Sequence, residues 1–403
     1  MINDLYTKKQ LDTFRFAVNN DYFMLINHGA KRTGKTILDN DLFIHELRRV
    51  KVNATADGVQ NPQYILAGAD LGAINRNVLI ELNNKYGIEF HFDKFNRFRL
   101  LGVTVCCFGH SKLNDLGRIR GMTSYGAYVN EGTMANEIVF DEIKSRLSGT
   151  GARMLIDTNA DSPEHWLKKK YIDKADGRHI KEVHYCLDDN TFLGEKYREN
   201  MKATTPTGMF YDRNINGLWC MGEGAVYKDF NKDIHYIRRD QLQSINFVKY
   251  IAGVDWGYEH FGAIVVIGKD DKGGYYLVQE YAKQFEEIDY WVDRAREIKK
   301  TYGNIPFYCD SARPEYVQRF KKEGFRASNA NKAVLSGIER IAQLYKTNML
   351  HIVDDVIRFR DEIYMYVWND KTGEPVKQFD DVMDCIRYAI YTDENKGGIS
   401  ILK

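Results

Sequence analysis

A chain of 403 residues, 44% hydrophobic, 13% aromatic and 28% charged, exceeds the size at which one hydrophobic core keeps growing; it points to two ordered domains and excludes a disordered chain. The formal net charge of +1 leaves no global electrostatic footprint, so any contact with nucleic acid must be made by local patches. No apolar stretch reaches the roughly 18 residues of a membrane span, and the opening MINDLYTKKQLD lacks a charged-then-apolar signal layout, which predicts a cytoplasmic protein with no membrane partner.

In chain order, YFMLIN at 22–27 reads as a strand, followed by a glycine-containing loop and, after Lys35, a segment with apolar residues at helical spacing. YILAGA at 64–69 and GAYVNE at 126–131 read as strands followed by helical patterns, and RMLIDTN at 153–159 as another strand. Strands alternating with helices predict a mainly parallel α/β sheet. The stretch from about 200 to 245 is rich in Gly, Asn, Thr and aromatics without clean periodicity and reads as a packed linker. YIAGVDWG, GAIVVIG and GYYLVQEY then lie close together with the turn signal DDKGG between the latter two, which predicts an antiparallel meander. Helical patterns at 288–301, 314–323, 333–346 and 380–391 alternate with short strands after it. That order is the order of an RNase H-like fold, although periodicity alone does not separate it from other α/β layouts. The expected domains are 1–200 and 246–403, with a linker over 201–245.

Gly29-Ala-Lys-Arg-Thr-Gly34-Lys35-Thr36 matches GxxxxGK[ST] and stands between a predicted strand and a predicted helix, as a phosphate-binding loop requires. Gly29 and Gly34 let backbone N–H groups curl around phosphates, with Thr33 an ATP-binding position in the same loop; Lys35 neutralises phosphate charge, and the Thr36 hydroxyl can hold Mg²⁺. Lys31 and Arg32 either reach the terminal phosphate of ATP or stand as solvated cations. Hydrolysis needs a carboxylate at the end of a neighbouring strand, and Glu131 is the candidate base. The usual acid before it is Asn130, which keeps a hydrogen-bonding role and loses a charge; changing it to Asp is expected to leave ATP hydrolysis unchanged or raise it. Thr158 and Asn159, ending the next strand, either sense loss of the terminal phosphate or form an Asx turn.

Asp255 ends YIAGVD, Asp310 ends PFYCD, and Asp384 lies within DDVMDCIRYAI, all in apolar surroundings. A bare buried carboxylate suffers a large desolvation cost, so three of them point to convergence on cations. Two Mg²⁺ or Mn²⁺ ions about 4 Å apart would serve phosphodiester cleavage. Asp381, one helical turn before Asp384, shares its face and is assigned a supporting metal role; singly, each Asp is equally well a loop cap or a helix N-cap. Of the many lysines and arginines after residue 290, Lys332 and Arg313 are the candidates for DNA phosphate contacts. The 6 cysteines form no CxxC pair, which argues against zinc and disulfides; Cys309 and Cys385, beside two of these acids, read as core filling.

The order GAKRTGKT, VNEGTM, IDTNADSPEHWLKK, NGLWCMGEGAVYKDF, GVDWG, YCDSA and DVMDCIRYAI resembles the phage terminase large subunits of the PBSX type, from about residue 20 to the end. The resemblance implies an N-terminal P-loop (ASCE) ATPase domain that drives double-stranded viral DNA into a procapsid. It implies a C-terminal RNase H-like α/β nuclease domain that cuts concatemeric DNA, with Asp255, Asp310 and Asp384 on the metals. ATP with Mg²⁺, the small terminase subunit, the procapsid portal protein and a homo-oligomeric packaging ring, monomeric in solution, come with it. Two residues depart from the family pattern: Asn130 replaces the usual acid, and Lys31 stands where many members carry an arginine. Gln10 resembles the family's adenine-contacting glutamine and reads equally as a surface helix residue. The rival readings are a P-loop helicase or repair ATPase with a fused nuclease, and a structural virion protein with a degenerate nuclease site.

Overall fold

The structure, a computed structural model, describes residues 5–369 and 371–396. The chain divides into two compact units, one of Met1–Ala203 with Tyr211–Met221 and one of Thr204–Phe210 with Gly222–Lys403. The stretch 201–245, read as a linker, is thus apportioned between the units. It holds the π-helical turn Asp212–Asn216 and the short helix Lys232–His235, elements too brief to leave a periodic signal in sequence.

The first unit is built on β1 (Met24–Gly29), β2 (Gln63–Gly68), β3 (Arg97–Leu100), β4 (Val103–Gly109), β5 (Gly126–Val129), β6 (Arg153–Asn159) and β7 (Ile180–Tyr185), in the spatial order β3-β4-β2-β5-β6-β1-β7. All neighbours are parallel except β3 against β4. Strand side chains alternate between two cores. Leu25, Leu66, Tyr128 and Leu155 meet the helix Lys35–Ala56 through Leu38, Phe43 and Leu47, while Met24, Ile65, Val129 and Ile156 meet the helix Glu137–Ser145 through Val139, Phe140 and Ile143. Burial on both faces is why these strands read as continuous apolar runs instead of alternating ones. Each such side chain contributes about 1.5–3 kcal/mol relative to exposure.

The second unit is built on β8 (Tyr236–Ile237), β9 (Phe247–Asp255), β10 (Gly262–Asp270), β11 (Tyr275–Lys283), β12 (Pro306–Cys309), β13 (Arg326–Asn329) and β14 (Leu350–Val353). Its order is β13-β12-β9-β10-β11-β14-β8. The meander β9-β10-β11 is antiparallel, and β12 returns parallel to β9 with β13 outside it. This is the RNase H-like arrangement, with β14 and β8 added beyond β11. Ala252, Val254, Ile264 and Val266 bury one face against Trp291, Ala295 and Phe320, and the helix Asp381–Asn395 covers the other. Gly253 admits that helix, for a Cβ there would stand 1.9 Å from the carbonyl oxygen of Cys385. Among the described residues no helix is long and apolar enough to cross a membrane.

Candidate functional sites

β1 delivers the chain to Gly29, whose φ of 134° and whose approach to the Tyr185 carbonyl, 2.0 Å from where a Cβ would stand, admit only glycine. Gly34, with φ 84°, is the N-cap of the helix Lys35–Ala56 and offers no side-chain cap, so the first N–H groups of a 22-residue helix are left for an anion. Lys35, 5% exposed, turns its Nζ onto the Ala30 carbonyl, Thr33 Oγ1 at 3.2 Å and Asn159 Oδ1 at 3.4 Å. Burial lowers its pKa to about 8, against the pull of Asp157 and Asp39. Lys31, Arg32, Thr33, Gly34, Lys35 and Thr36 line a cavity of 470 Å³ whose far wall includes Arg76, Glu131, Asn159 and Asn190. Gln10 donates its amide to the Gly34 carbonyl at 2.9 Å and is buried, so it braces the loop instead of lying on the surface.

β5 ends at Val129, and Glu131 follows with left-handed backbone, φ 58°, a conformation that costs a non-glycine residue about 1–2 kcal/mol. Its N–H donates to Asp157 Oδ1 at 2.9 Å, which holds the turn. Burial raises the Glu131 carboxyl above the ordinary range; Asp157 adds to this and Arg76 opposes it. A partly buried carboxylate of raised proton affinity lining the cavity suits proton abstraction from water. Thr158 lies behind it, accepting the Thr133 N–H at 2.9 Å and sharing a hydrogen bond with the Thr133 hydroxyl at 2.8 Å.

Asp157 was not among the residues that the sequence singled out. It is 2% exposed, and it accepts from the Thr36 hydroxyl, from Asn130 Nδ2 at 2.9 and 3.1 Å, and from the Glu131 N–H. The signal available was an acid directly after the apolar run MLI of β6. Arg76 and Asn77, presented by the π-helical turn Asn75–Leu79, were also missed; such turns recur at functional positions.

In the second unit Asp255 ends β9, and Asp310 follows β12 with its N–H bonded to the Val254 carbonyl at 2.8 Å. The two acids leave adjacent parallel strands at one level. Asp381 and Asp384 project from the first turn of the helix laid over β9, and Asp380, its N-cap, makes no side-chain cap bond. All five line one cavity of 980 Å³, together with Arg313 and Lys332. Burial, then Asp384, Asp310, Asp381 and Asp380 in turn, holds Asp255 well above the ordinary carboxylate range. Burial and then Asp384 push Asp380 up to about 6.

Cations relieve the remaining charge: Lys332 lies 2.5 Å from Asp310, Arg387 2.7 Å from Asp384 and Arg358 3.0 Å from Asp381. Among the described residues no three His, Cys, Asp or Glu side chains already converge on one point. The concentration of like charge in one cleft nevertheless suits divalent cations. Glu362, fully buried, accepts the N–H groups of Val382 at 2.8 Å and Met383 at 3.2 Å and pairs with Arg358, so it fixes the start of the helix that carries Asp381 and Asp384. Arg313 lies over the Tyr316 ring at 5.1 Å. Cys309 and Cys385 are buried away from the cavity.

The fold and its two sites define a P-loop α/β unit joined to an RNase H-like unit with a carboxylate cluster. Residues 47–232 match the family described as terminase large subunit, T4likevirus-type, N-terminal. The PBSX phage terminase large subunit of Bacillus subtilis (strain 168) is 26% identical over 156 residues, 37% of this chain and 35% of that protein, so the match spans about a third of the relative's length. The large terminase of a thermophilic bacteriophage shares the fold with a TM-score of 0.80 at 24% identity, over 98% of this chain and 100% of that one. The same phage's terminase in complex with ADP gives 0.79 at 24% identity over 98% and 100%, and in complex with ATP-gamma-S 0.77 at 23% over 96% and 98%. Over residues 47–232 by sequence, and over nearly its whole length by fold, the chain resembles large subunits of phage terminases.

Proposed function

We propose that the chain is an ATP-driven DNA-packaging motor with a metal-dependent endonuclease: it moves double-stranded viral DNA into procapsids and cuts the concatemer. The observation that carries this reading is the joint presence of a built phosphate loop in one unit and five carboxylates in one cleft of the other. The functional domains are 1–200 for the ATPase and 246–403 for the nuclease.

In the ATPase, the open N–H groups after Gly34 and the Lys35 ammonium would bind phosphate, and the Thr36 hydroxyl would take the Mg²⁺ of the nucleotide. Glu131 orients a water against the terminal phosphate and accepts its proton. Asn159, within 3.4 Å of Lys35, reads whether that phosphate is present, and Thr158 passes the change to Thr133. Lys31 and Arg32, which line the same cavity, are assigned to the terminal phosphate, and Gln10, which holds Gly34 in place, to the adenine.

In the nuclease, Asp255, Asp310 and Asp384, supported by Asp381, are the residues that would hold two Mg²⁺ or Mn²⁺ ions, which would supply water activation and charge stabilisation for phosphodiester cleavage. Lys332 and Arg313 receive the DNA phosphates, Lys332 exchanging its bond to Asp310 for one to DNA. The partners are viral DNA, the small terminase subunit and the procapsid portal, with copies of this chain forming a ring at the portal in the host cytoplasm.

The test uses the full chain. With Mn²⁺ it is expected to cut plasmid DNA, and Asp255→Ala or Asp310→Ala to abolish cutting while ATP hydrolysis persists. Lys35→Ala and Glu131→Ala are expected to do the reverse. Cutting by Asp255→Ala at the parent's rate would overturn the nuclease assignment, and equal loss of both activities in every variant would overturn the separation of sites.

A further inference from the structure

Position 130, directly after β5, carries an amide in place of the acid expected before Glu131, and an amide brings no charge to a divalent ion. The charge is present one strand away. β5 and β6 are paired in register, Val129 opposite Ile156, so the next residues, Asn130 and Asp157, emerge side by side beneath the loop. We infer that Asp157 is the carboxylate that holds the Mg²⁺ of a bound nucleotide and that Asn130 is its brace, an inference that rests on the nucleotide-site reading of Gly29–Thr36.

Three contacts carry it. The Thr36 hydroxyl, the group a P-loop turns toward Mg²⁺, donates to Asp157 Oδ2, so Thr36 and the carboxylate face the same point. Asn130 cannot turn its amide the other way without loss, because its Oδ1 accepts from Asn77 Nδ2 at 2.9 Å and its Nδ2 is thereby left aimed at both Asp157 oxygens. The Glu131 N–H donates to the same carboxylate, so the acid that faces the ion also sets the turn carrying the candidate base. A buried carboxylate is tolerable only with such donors around it, and here three converge while Lys35 supplies positive charge nearby. The acid has therefore changed strands without leaving the site, and the amide at 130 is what permits this: two carboxylates in those places would face each other across a hydrogen-bond distance.

The experiment titrates full-length protein with ATPγS, in Mg²⁺ and in EDTA, for the parent, Asp157→Asn, the exchanged pair Asn130→Asp/Asp157→Asn, and Lys35→Ala. The parent is expected to bind more tightly in Mg²⁺. Asp157→Asn is expected to bind like the parent in EDTA but to lose about tenfold to a hundredfold of the Mg²⁺-dependent affinity, the loss of one charged contact. The exchanged pair restores the donor, the acceptor and the charge, and is expected to recover most of the gain; should the single variant not fold, the exchanged pair is compared with Asn130→Asp instead. Retention of the full Mg²⁺ gain by Asp157→Asn, or an exchanged pair no better than the single variants, would overturn the assignment while leaving the phosphate loop standing. A parent that binds no ATPγS in either condition, or a Lys35→Ala variant that binds as the parent does, would bring down the phosphate-loop reading and this assignment with it.

Discussion

Gly253 of β9 lies directly beneath the carbonyl of Cys385, so close that a methyl group at 253 would stand 1.9 Å from that oxygen. The contact sets how deeply the helix Asp381–Asn395 sits, and so how near Asp384 comes to Asp255. Gly253→Ala is expected to lift the helix, to cost on the order of 1–3 kcal/mol, and to cut Mn²⁺-dependent plasmid cleavage at least tenfold while ATP hydrolysis persists. Cleavage and thermal denaturation measured on the same preparation check this; parental cleavage would show that the helix position does not matter.

Asn130→Asp reverses sign between sequence and structure. Read from the motif, an acid at 130 leaves ATP hydrolysis unchanged or raises it. In the structure it would face both Asp157 oxygens where the amide now donates at 2.9 and 3.1 Å, replacing two hydrogen bonds by buried repulsion. The variant is expected to melt lower by on the order of 1–3 kcal/mol and to hydrolyse ATP more slowly. Faster hydrolysis at parental stability would restore the motif-based view.

Lys35 titrates near about 8 because it is buried. Above that pH the nucleotide-free chain has lost the proton, whereas a bound phosphate stabilises the charged form, so binding there must take up a proton. Calorimetry of ATPγS binding at about pH 8.5, in two buffers of different ionisation heat, is expected to show uptake that vanishes by about pH 6.5. Equal binding heats in the two buffers at the higher pH would contradict it.

The carboxylate cleft makes the metal-free chain sensitive to pH in a stated direction. Asp380, pushed up to about 6, and Asp255, held well above the usual range, bind protons in the folded chain that the unfolded chain has already released. Their contribution is therefore fully present below the unfolded values near 4 and lost as pH rises through the folded ones, about 6 for Asp380. In EDTA the melting temperature is expected to fall between about pH 5 and pH 7, Mn²⁺ to restore it at the higher pH, and Asp255→Asn/Asp380→Asn to flatten the slope. A double variant with the parent's slope would place the effect elsewhere.

Lys332 is bonded to Asp310 at 2.5 Å with its side chain 45% exposed, so the pair is worth little by itself, about 0.2–1 kcal/mol. Lys332→Ala is expected to lower the Mn²⁺ concentration giving half-maximal cleavage a few-fold and to weaken DNA binding. A higher Mn²⁺ requirement would show that the lysine assists the metals instead of competing with them.

Much of this was legible because its signals are local. Gly29–Thr36 announces itself by spacing, and RMLIDTN matches β6 residue for residue. The helix starts near 288, 314, 334 and 381 were visible from apolar period. Asp255 and Asp310 stood out as charge at the ends of apolar runs, and Asp384 as charge inside an amphipathic one. What stayed hidden depends on pairing across strands. Nothing within VNE or IDTN shows that 130 and 157 are neighbours; that comes from the parallel register of β5 and β6. β4, VTVCCFG, is buried much as β2 is, yet it was not among the strands expected from sequence. Glu362, twenty residues before the backbone it anchors, leaves no local trace.

The hydroxyl pair Thr158–Thr133, 2.8 Å apart, yokes the strand end bearing Asn159 to the turn bearing Glu131. A pull on either is delivered to the other through the Thr158 hydroxyl, which bonds both the Thr133 hydroxyl and the Thr133 N–H, with no intervening side chain. Under the function proposed above, sensing spent fuel at Asn159 and resetting Glu131 would, by this wiring, be one stroke instead of two.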